Sequence, residues 1–255
     1  IDGDPGIIQI SAEQHPALGI DRHEILFTAG LNVGRPDCLV PTLGRRWYPF
    51  PQFIHLPAWP EAGPTPPGAR YTSITQWGWG EIWHGGASYS VSKRDAYMRF
   101  VDLPRRCTPH FELAANIDPR DPTGDLVRLR DAGWQLVDPH RVAASPQDYQ
   151  HYIGGSRAEF CCPKPVYVDM RTGWFSDRSA GYLASGRPVL MQDTGVDEHL
   201  PLGEGLFAFS DLETAVAAVE SIEGNYAAHA LAARRLAEEH LCATKVLEAM
   251  LEACR

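Results

Sequence analysis

The chain of 255 residues lacks the patterns that identify several common classes of protein. It has no apolar run of about 18 to 20 residues, so no segment is predicted to cross a bilayer as a helix. Lysine and arginine number 23 against 32 acidic residues, and the resulting net charge of −9 argues against a nucleic-acid partner. No P-loop, serine-hydrolase elbow or kinase signature is present. These absences argue against a membrane-spanning protein, a nucleic-acid-binding protein and several familiar enzyme classes, although a local basic pocket is still compatible with the net charge.

Metal-binding spacings are also missing. The six cysteines contain no Cys-x-x-Cys pair, and adjacent Cys161 and Cys162 make a poor disulfide framework, so reduced thiols in a cytoplasmic protein are predicted. The ten histidines form no His-x-x-x-His pair. Asp2-Gly3-Asp4 resembles a divalent-cation motif, but Asp before Pro-Gly more often makes a plain turn. No metal is therefore predicted, and the oligomeric state is unknown.

What is present is ordinary globular composition, with 44% hydrophobic and 22% charged residues. Residues 57–69 are rich in proline, which disfavours helix and central strand and predicts a stiff linker. We expect residues 1–56 to be part of one domain and residues 70–255 to form another. The first six residues look like a strand end running into a turn, as though the chain were entered midway through its first domain.

Short apolar runs and helical periodicity alternate along the chain. Strands are predicted at 25–28, 71–75, 111–115, 134–137, 158–162, 189–191 and 206–209, and helices at 126–132, 146–153, 211–222, 225–240 and 244–254. A capping box is predicted at Ser210 and Glu213. The alternation predicts an α/β fold, a Rossmann-like parallel sheet with helices on both faces.

The most informative stretch is residues 173–190, which predict a turn, a short helix, a glycine stop and a buried strand. Ser176 or Asp177 can cap the helix, and Gly186 suits the left-handed position after its end. A helix start presents free N–H groups and a positive dipole end, which suit an anion, and Arg178 can pair with a phosphate. Most such starts, however, only cap a helix, and most arginines there are solvated.

Residues 70–255 resemble the donor-binding domain of GT-B glycosyltransferases of the group 1 kind. The resemblance rests on Gly173-Trp174-Phe175-Ser176 before a helix, on 182–189 (Tyr-Leu-Ala-Ser-Gly-Arg-Pro-Val), on 192–195 and on the loop 202–206. It implies two Rossmann-like domains that face each other across a cleft. Residues 1–56 would be a remnant of the N-terminal acceptor-side domain, and residues 70–255 would bind the nucleotide sugar.

The resemblance also implies roles for particular residues. The donor diphosphate would be held by Phe175, Ser176, Asp177, Arg178, Lys93, Arg94 and Lys164. The cleft for the donor sugar and base would be lined by Gln76, Trp77, Gly78, Thr194 and Gly195. His84 and Asp4 are the candidate catalytic groups, although a lone histidine is more often structural. Trp77, Trp79 and Trp83 favour a carbohydrate or nucleotide cleft, since aromatic faces stack on sugars and bases, but core packing explains one or two of them equally well.

One departure concerns the two glutamates that the family often carries across this turn and helix, because Gly173 and Gly181 stand in their places. The expected function is metal-independent transfer of a sugar from a nucleotide diphosphate, without a further cofactor, to an unknown acceptor. The alternatives are a nucleotide-sugar epimerase of the same architecture and a non-catalytic nucleotide- or sugar-binding protein, which the missing glutamates favour slightly.

Overall fold

A computed structural model describes all residues, 1–255. Its ten strands are β1 (Leu26–Thr28), β2 (Trp47–Pro49), β3 (Tyr71–Gln76), β4 (Glu81–His84), β5 (Ala87–Ser90), β6 (Phe111–Asn116), β7 (Trp134–Val137), β8 (Ala158–Cys161), β9 (Val189–Gln192) and β10 (Leu206–Phe209). Its α-helices are α1 (Ile7–Gln14), α2 (Lys93–Arg99), α3 (Leu103–Arg106), α4 (Asp125–Asp131), α5 (Pro139–Val142), α6 (Pro146–Gly155), α7 (Pro165–Asp169), α8 (Asp177–Ala184), α9 (Leu212–Gly224), α10 (Tyr226–His240) and α11 (Ala243–Glu252).

Six strands form one parallel sheet in the order β10-β9-β8-β3-β6-β7. Numbered along the chain from β3, this order is 3-2-1-4-5-6, the order of dinucleotide-binding sheets. The chain leaves the centre on one side through β6 and β7, then returns to build β8, β9 and β10 on the other. The predicted parallel α/β sheet is confirmed, and a crevice is expected where β3 and β8 part at their carboxyl ends.

The sheet is buried because its central strands carry apolar side chains on both faces, as parallel strands require. All residues of β8 and β9 are buried. Aromatic rings fill the space around Phe160, whose ring stacks on Phe209 with centroids 5.2 Å apart and meets Phe111 edge-on at 6.1 Å. Such contacts add roughly 0.5–1.5 kcal/mol each beyond area burial. This core holds the strand ends, and thus the site above them, in fixed positions.

Residues 1–56 pack against the sheet domain and share a hydrophobic core with it. Strands β1 and β2 pair in parallel, and Asp2 extends this small sheet through a bridge to Thr28. The core beneath them joins Phe27 and Trp47 to Trp174 and to Met250 of α11. Two further bridges fasten this region, Gly30 with Trp174 and Ile54 with Cys242.

The proline-rich segment lies across α6 and the end of α8 as an extended strap, after a single 3₁₀ turn at Leu56–Ala58. Buried Arg187 joins this segment to α6. It donates to the carbonyl oxygen of Gly63 in the segment, at 2.9 Å, and to the carbonyl oxygen of Gly154 in α6. Arg234 donates in the same way to the carbonyl oxygen of Trp59 at 2.8 Å. Arginine side chains therefore hold this segment through its backbone carbonyl groups, because its prolines lack the N–H donors that a helix or a β-ladder needs.

One local prediction needs correction, and one element was not predicted. The capping box forms between Asp211 and Thr214 rather than Ser210 and Glu213, since the Asp211 side chain accepts from the Thr214 N–H at 2.8 Å. The antiparallel hairpin of β4 and β5 was not predicted, although Gly85-Gly86 between its strands is a strong two-residue turn signal. No helix has both the length and the apolar character needed to span a membrane.

Candidate functional site

A cavity of about 610 Å³ opens at the carboxyl ends of β3 and β6, beside the point where the sheet order reverses. Its lining residues are Ile74, Thr75, Gln76, Lys93, Asn116, Pro139, His140, Ala143, Ala144 and Arg178. The walls come from the ends of the two strands, from α2, from α5 and from the start of α8. This is the place where open parallel sheets bind their ligands.

The lysine and arginine side chains that line this cavity have no acidic counterpart in its lining, although the whole chain carries −9. Lys93 and Arg178 both line it, and no carboxylate does. Clefts lined by one sign of charge concentrate the field and attract the opposite ion. The sequence predicted both cations for this role, and the fold brings them together from α2 and α8.

Arg178 is held in place by acceptors on three sides. Its Nε donates to the carboxylate of Glu159 at 2.6 Å, and one terminal nitrogen donates to the carbonyl oxygen of Ile74 at 2.8 Å. The other lies 3.3 Å from the Sγ of Cys161. Glu159 is fully buried, and the Arg178 side chain is 10% exposed. The guanidinium is therefore fixed at the cavity wall, and the buried carboxylate of Glu159 compensates part of its positive charge.

Lys93 differs because no hydrogen-bond partner or carboxylate contacts its ammonium. It is half-buried on the first turn of α2, with its Nζ 5.8 Å from the centre of the Trp174 ring. Burial, and then the positive charge of Arg178, lowers the pKa of Lys93 to about 8. An anion in the cavity would relieve this unfavourable environment. Of the two cations, Lys93 is therefore the one whose charged form a bound anion would stabilise more.

Helix α8 begins beside the cavity, since Arg178 is its second residue. The N–H groups of Asp177, Arg178 and Ser179 meet no acceptor in the protein, and Ser176 at the N-cap makes no capping bond. Its hydroxyl instead donates to Asp177 at 3.4 Å. Neither of the two predicted caps, Ser176 or Asp177, therefore accepts from an N–H group of the first turn. Phe175, before it, is buried in the core, so its side chain is structural.

A second group of charges lies where residues 1–56 meet the sheet domain. Lys164 donates to the carboxylate of Asp4 at 2.6 Å, and the hydroxyl of Tyr167 donates to the same oxygen. Burial opposes ionisation of Asp4, but the bonds from Lys164 and Tyr167 outweigh it and hold its pKa below the ordinary value. Asp2 is buried and accepts from Gln9 and Thr28. Donors within the protein therefore occupy both carboxylate oxygens of Asp2, whereas the second oxygen of Asp4, Oδ2, accepts no hydrogen bond.

Three sequence predictions for the site fail on geometry. Trp77 lies in the core, 4% exposed, and its indole N–H donates to Asp125 at 3.0 Å. Arg94 forms a two-point ion pair with the same buried carboxylate, at 2.6 and 2.9 Å. His84 lies on β4, bonded to Glu13 of α1 at 2.9 Å. None of the three lines the cavity, because each side chain is used for packing or for a contact elsewhere.

The other predicted cleft residues divide into two groups. Gln76 lines the cavity, and Gly78 is exposed on the following loop with open space around it. Thr194 donates to the carbonyl oxygen of Trp174 at 2.7 Å, and the Gly195 carbonyl accepts from the side-chain amide of Asn32 at 2.8 Å. Gly195 therefore contacts residues 1–56, Thr194 contacts Trp174, and neither lines the cavity.

No protein-family model and no curated protein sequence match this chain. Solved structures do resemble it. Sucrose-phosphate synthase from Thermosynechococcus elongatus aligns with a TM-score of 0.57 and 12% identity over 85% of this chain and 54% of its own. Anabaena HepE in complex with UDP-glucose aligns at 0.55 and 12% over 83% and 58%. An alpha-glucosyltransferase (AGT) in complex with UDP aligns at 0.59 and 8% over 99% and 71%.

The chain has the fold of the GT-B glycosyltransferases. Identities this low establish the fold alone, which confirms the architecture predicted from the turn, helix and strand at 173–190. The chain spans between 39% and 58% of the length of TarM, AviGT4 and sucrose-phosphate synthase, three GT-B proteins that it matches.

Gly173 and Gly181, the two glycines that the resemblance aligns with family glutamates, are each closely approached by a side chain from residues 1–69. A Cβ added at Gly173 would lie 3.0 Å from the side chain and the backbone nitrogen of Asn32. One added at Gly181 would lie 2.9 Å from the indole of Trp59. Asn32 is buried, donates to the carbonyl oxygens of Arg171 and Gly195, and lies 2.8 Å from a ring nitrogen of His199. A longer side chain at either glycine would displace these contacts.

Sequence reasoning missed Glu159, Asn116 and His140. Glu159 stands in the buried run Ala158–Cys162, and an acid inside an apolar strand signals a paired charge, because an unpaired one is too costly to bury. Asn116 directly follows the strand predicted at 111–115, and residues at the carboxyl ends of strands are where a parallel sheet binds its ligands. Nothing in the sequence marks His140, whose place at the cavity depends on how α5 packs over β6.

Proposed function

We propose that this protein is a glycosyltransferase that moves a sugar from a nucleotide diphosphate to an acceptor. The observation that carries the proposal is the cavity at the switch point of the GT-B sheet, lined by Lys93 and Arg178 and by no carboxylate. The same fold is seen with UDP in the alpha-glucosyltransferase and with UDP-glucose in HepE. The donor diphosphate would lie between the two cations and the start of α8, with Asp177 at its edge and Gln76 towards the sugar or base.

The chemistry follows from where charge develops. As the bond between the sugar and the diphosphate breaks, the diphosphate leaves with the electron pair and its negative charge grows. In this proposal Lys93 and Arg178, which both line the cavity, stabilise that charge. The acceptor oxygen forms the new bond to the sugar, and we assign its proton to Asp4, an ionised carboxylate beside Lys164. His84 contacts none of these groups, so we give it no role.

Two further parts of the proposal concern cofactors and location. Lys93 and Arg178 would neutralise the leaving diphosphate, so we propose that neither a metal nor a further cofactor is needed. Turnover unchanged by EDTA would support this, and loss that Mg²⁺ restores would contradict it. Six free cysteines suit a reducing compartment, so we also propose a cytoplasmic location.

Nucleotide binding is the first test. UDP, GDP, ADP and dTDP are compared by thermal shift, and the best of them is then measured by calorimetry. We expect one base to raise the Tm, because a ligand that binds only the folded state stabilises it. Lys93→Met should weaken binding about tenfold or more, since a charge-assisted bond is lost. Lys245→Met is the matched control, because this lysine is exposed on α11 and donates only to the Glu238 carbonyl.

A diphosphate that leaves the Tm unchanged, or that binds Lys93→Met as tightly as the wild type, would refute the proposed site. Transfer itself is assayed by mass spectrometry with the matching nucleotide sugars and mixed saccharide acceptors.

A second candidate function is nucleotide or sugar binding without transfer. It is favoured by the packing at Gly173 and Gly181, where Asn32 and Trp59 stand in place of the two carboxylates of the resembling family. Nucleotide binding that depends on Lys93, with neither hydrolysis nor transfer of any donor, would support this candidate over the first.

A further inference from the structure

Two large aromatic side chains outside the cavity are exposed without a structural reason. Trp79 is 75% exposed and Trp83 is 57% exposed. Both belong to the tryptophan hairpin, which we define as residues 78–90, inserted between β3 and α2 above the carboxyl edge of the sheet. Its inner face is explained, because Ile82 and Tyr89 pack against the core of residues 1–56. Its two indoles are not.

Trp79 is connected to the cavity by a continuous row of aromatic rings and lysines. The Nζ of Lys93 lies 5.8 Å from the Trp174 ring centre, and that ring is 4.9 Å from the Tyr167 ring. Lys164 continues the row, with its Nζ 5.5 Å from the Tyr167 ring and 6.0 Å from the Trp79 ring. These are cation–π distances. Trp79 therefore stands at the outer end of a row that begins at the proposed diphosphate.

The surroundings of Trp79 suit a sugar ring. An indole offers a broad apolar face that matches the C–H face of a pyranose. Beside it, Lys164 supplies N–H donors and Asp4 supplies acceptors, and the Asp4 side chain is 49% exposed. The backbone that carries this ring is held in place, since the backbone N–H of Trp79 donates to the Ser92 hydroxyl at 2.9 Å. An apolar face flanked by a hydrogen-bonding pair is the combination that a polyhydroxylated ring requires.

We propose that Trp79, with Asp4 and Lys164, forms an acceptor subsite that binds a saccharide. This inference rests on the proposed function, because it places the acceptor sugar next to the Asp4 carboxylate that takes its proton. Trp83 has no part in the subsite, since it alternates with Ile82 on β4 and points away from the core.

The test uses the full chain and named saccharides. Binding of methyl glucoside, maltotetraose, cellotetraose and chitotetraose is measured by saturation-transfer difference NMR on the wild type, Trp79→Ala and Trp83→Ala. Circular dichroism checks the fold of each variant, and calorimetry with UDP and the other nucleoside diphosphates checks the donor site. Trp83→Ala is the matched control, because it removes an exposed indole from the same hairpin.

We expect at least one saccharide to bind, with affinity about threefold to tenfold weaker in Trp79→Ala and unchanged in Trp83→Ala. Nucleotide affinity should be the same in all three proteins. No binding of any of the four saccharides, equal affinity in Trp79→Ala, or equal loss in Trp83→Ala would overturn the subsite. Finally, binding to vesicles of phosphatidylcholine and phosphatidylglycerol is measured for the same proteins. Vesicle binding that depends on Trp79, without saccharide binding, would also overturn the subsite.

Failure of the subsite is distinguishable from failure of the proposed function. Nucleotide binding that depends on Lys93, without saccharide binding, removes the subsite alone. Saccharide binding that depends on Trp79, without any nucleotide binding, removes the proposed transfer reaction and leaves a carbohydrate site at the hairpin.

Discussion

The lowered pKa of Lys93 predicts that nucleotide affinity depends on pH in a particular direction. With a pKa of about 8, this side chain is mostly charged at pH 7 and mostly neutral at pH 9. A bound diphosphate favours the charged form and raises the pKa again. Binding above pH 8 must therefore take up a proton, and the affinity must fall as the pH rises.

The size of the effect follows from the titration. The charged fraction of Lys93 is about nine in ten at pH 7 and about one in ten at pH 9, so the apparent affinity should fall about tenfold over this interval. The charged and titratable groups named next do not change their charge over this pH interval, so they do not obscure the titration of Lys93. Arg178 stays charged, burial raises the pKa of Cys161 to about 11, and the pKa of Asp4 is lowered. The terminal phosphate, with a second pKa of about 6, is already ionised.

Calorimetry with the best-bound nucleoside diphosphate at pH 7, 8 and 9 measures this directly. Repeating each titration in two buffers of different ionisation enthalpy counts the protons taken up. The control variant is Lys93→Arg, which keeps its charge throughout the range and should show a flat profile. A flat profile in the wild type, or the same fall in Lys93→Arg, would refute the reasoning.

Two further predictions concern buried polar groups. Glu159→Gln removes the counter-charge of Arg178 and should destabilise the protein by about 3 kcal/mol, roughly 6 to 12 °C in Tm by calorimetry. Glu213→Gln, at an exposed pair with Arg106, should leave the Tm nearly unchanged, because solvent screens that pair. Equal losses in the two variants would contradict the account of the buried pair. Asn32→Ala leaves two carbonyl oxygens without their donor and should lower the urea-unfolding free energy by about 2 kcal/mol, and an unchanged midpoint would disprove that role.

The parallel sheet was predictable because its strands are short apolar runs separated by helical periodicity, a pattern that depends only on local sequence. The two cations were expected on different grounds, Arg178 from the predicted helix start and Lys93 from the resemblance to GT-B glycosyltransferases. The sequence could not separate Lys93 from Arg94, because neighbours on a helix point about 100° apart and only packing decides which side faces the cavity. Trp77 and Trp79 present the same difficulty, since one enters the core and the other faces solvent.

Residues 1–56 were the least predictable part. Their few short strands carry weak periodicity, and their contacts with Trp174 and α11 join residues far apart in the chain. Neither Asn32 against Gly173 nor Trp59 against Gly181 follows from any local pattern, because each contact depends on how the two regions dock.

The bridge between Ile54 and Cys242 has a consequence for how molecules reach and leave the cavity. Together with the Asp4–Lys164 pair and the buried amide of Asn32, it fastens the amino-terminal region at separated points, so a hinge motion would have to break all of them at once. We therefore expect the proposed nucleotide ligands to enter and leave through a cavity opening that does not close. Release of the nucleotide product would then be controlled by its contacts with Lys93 and Arg178 and not by the movement of a lid.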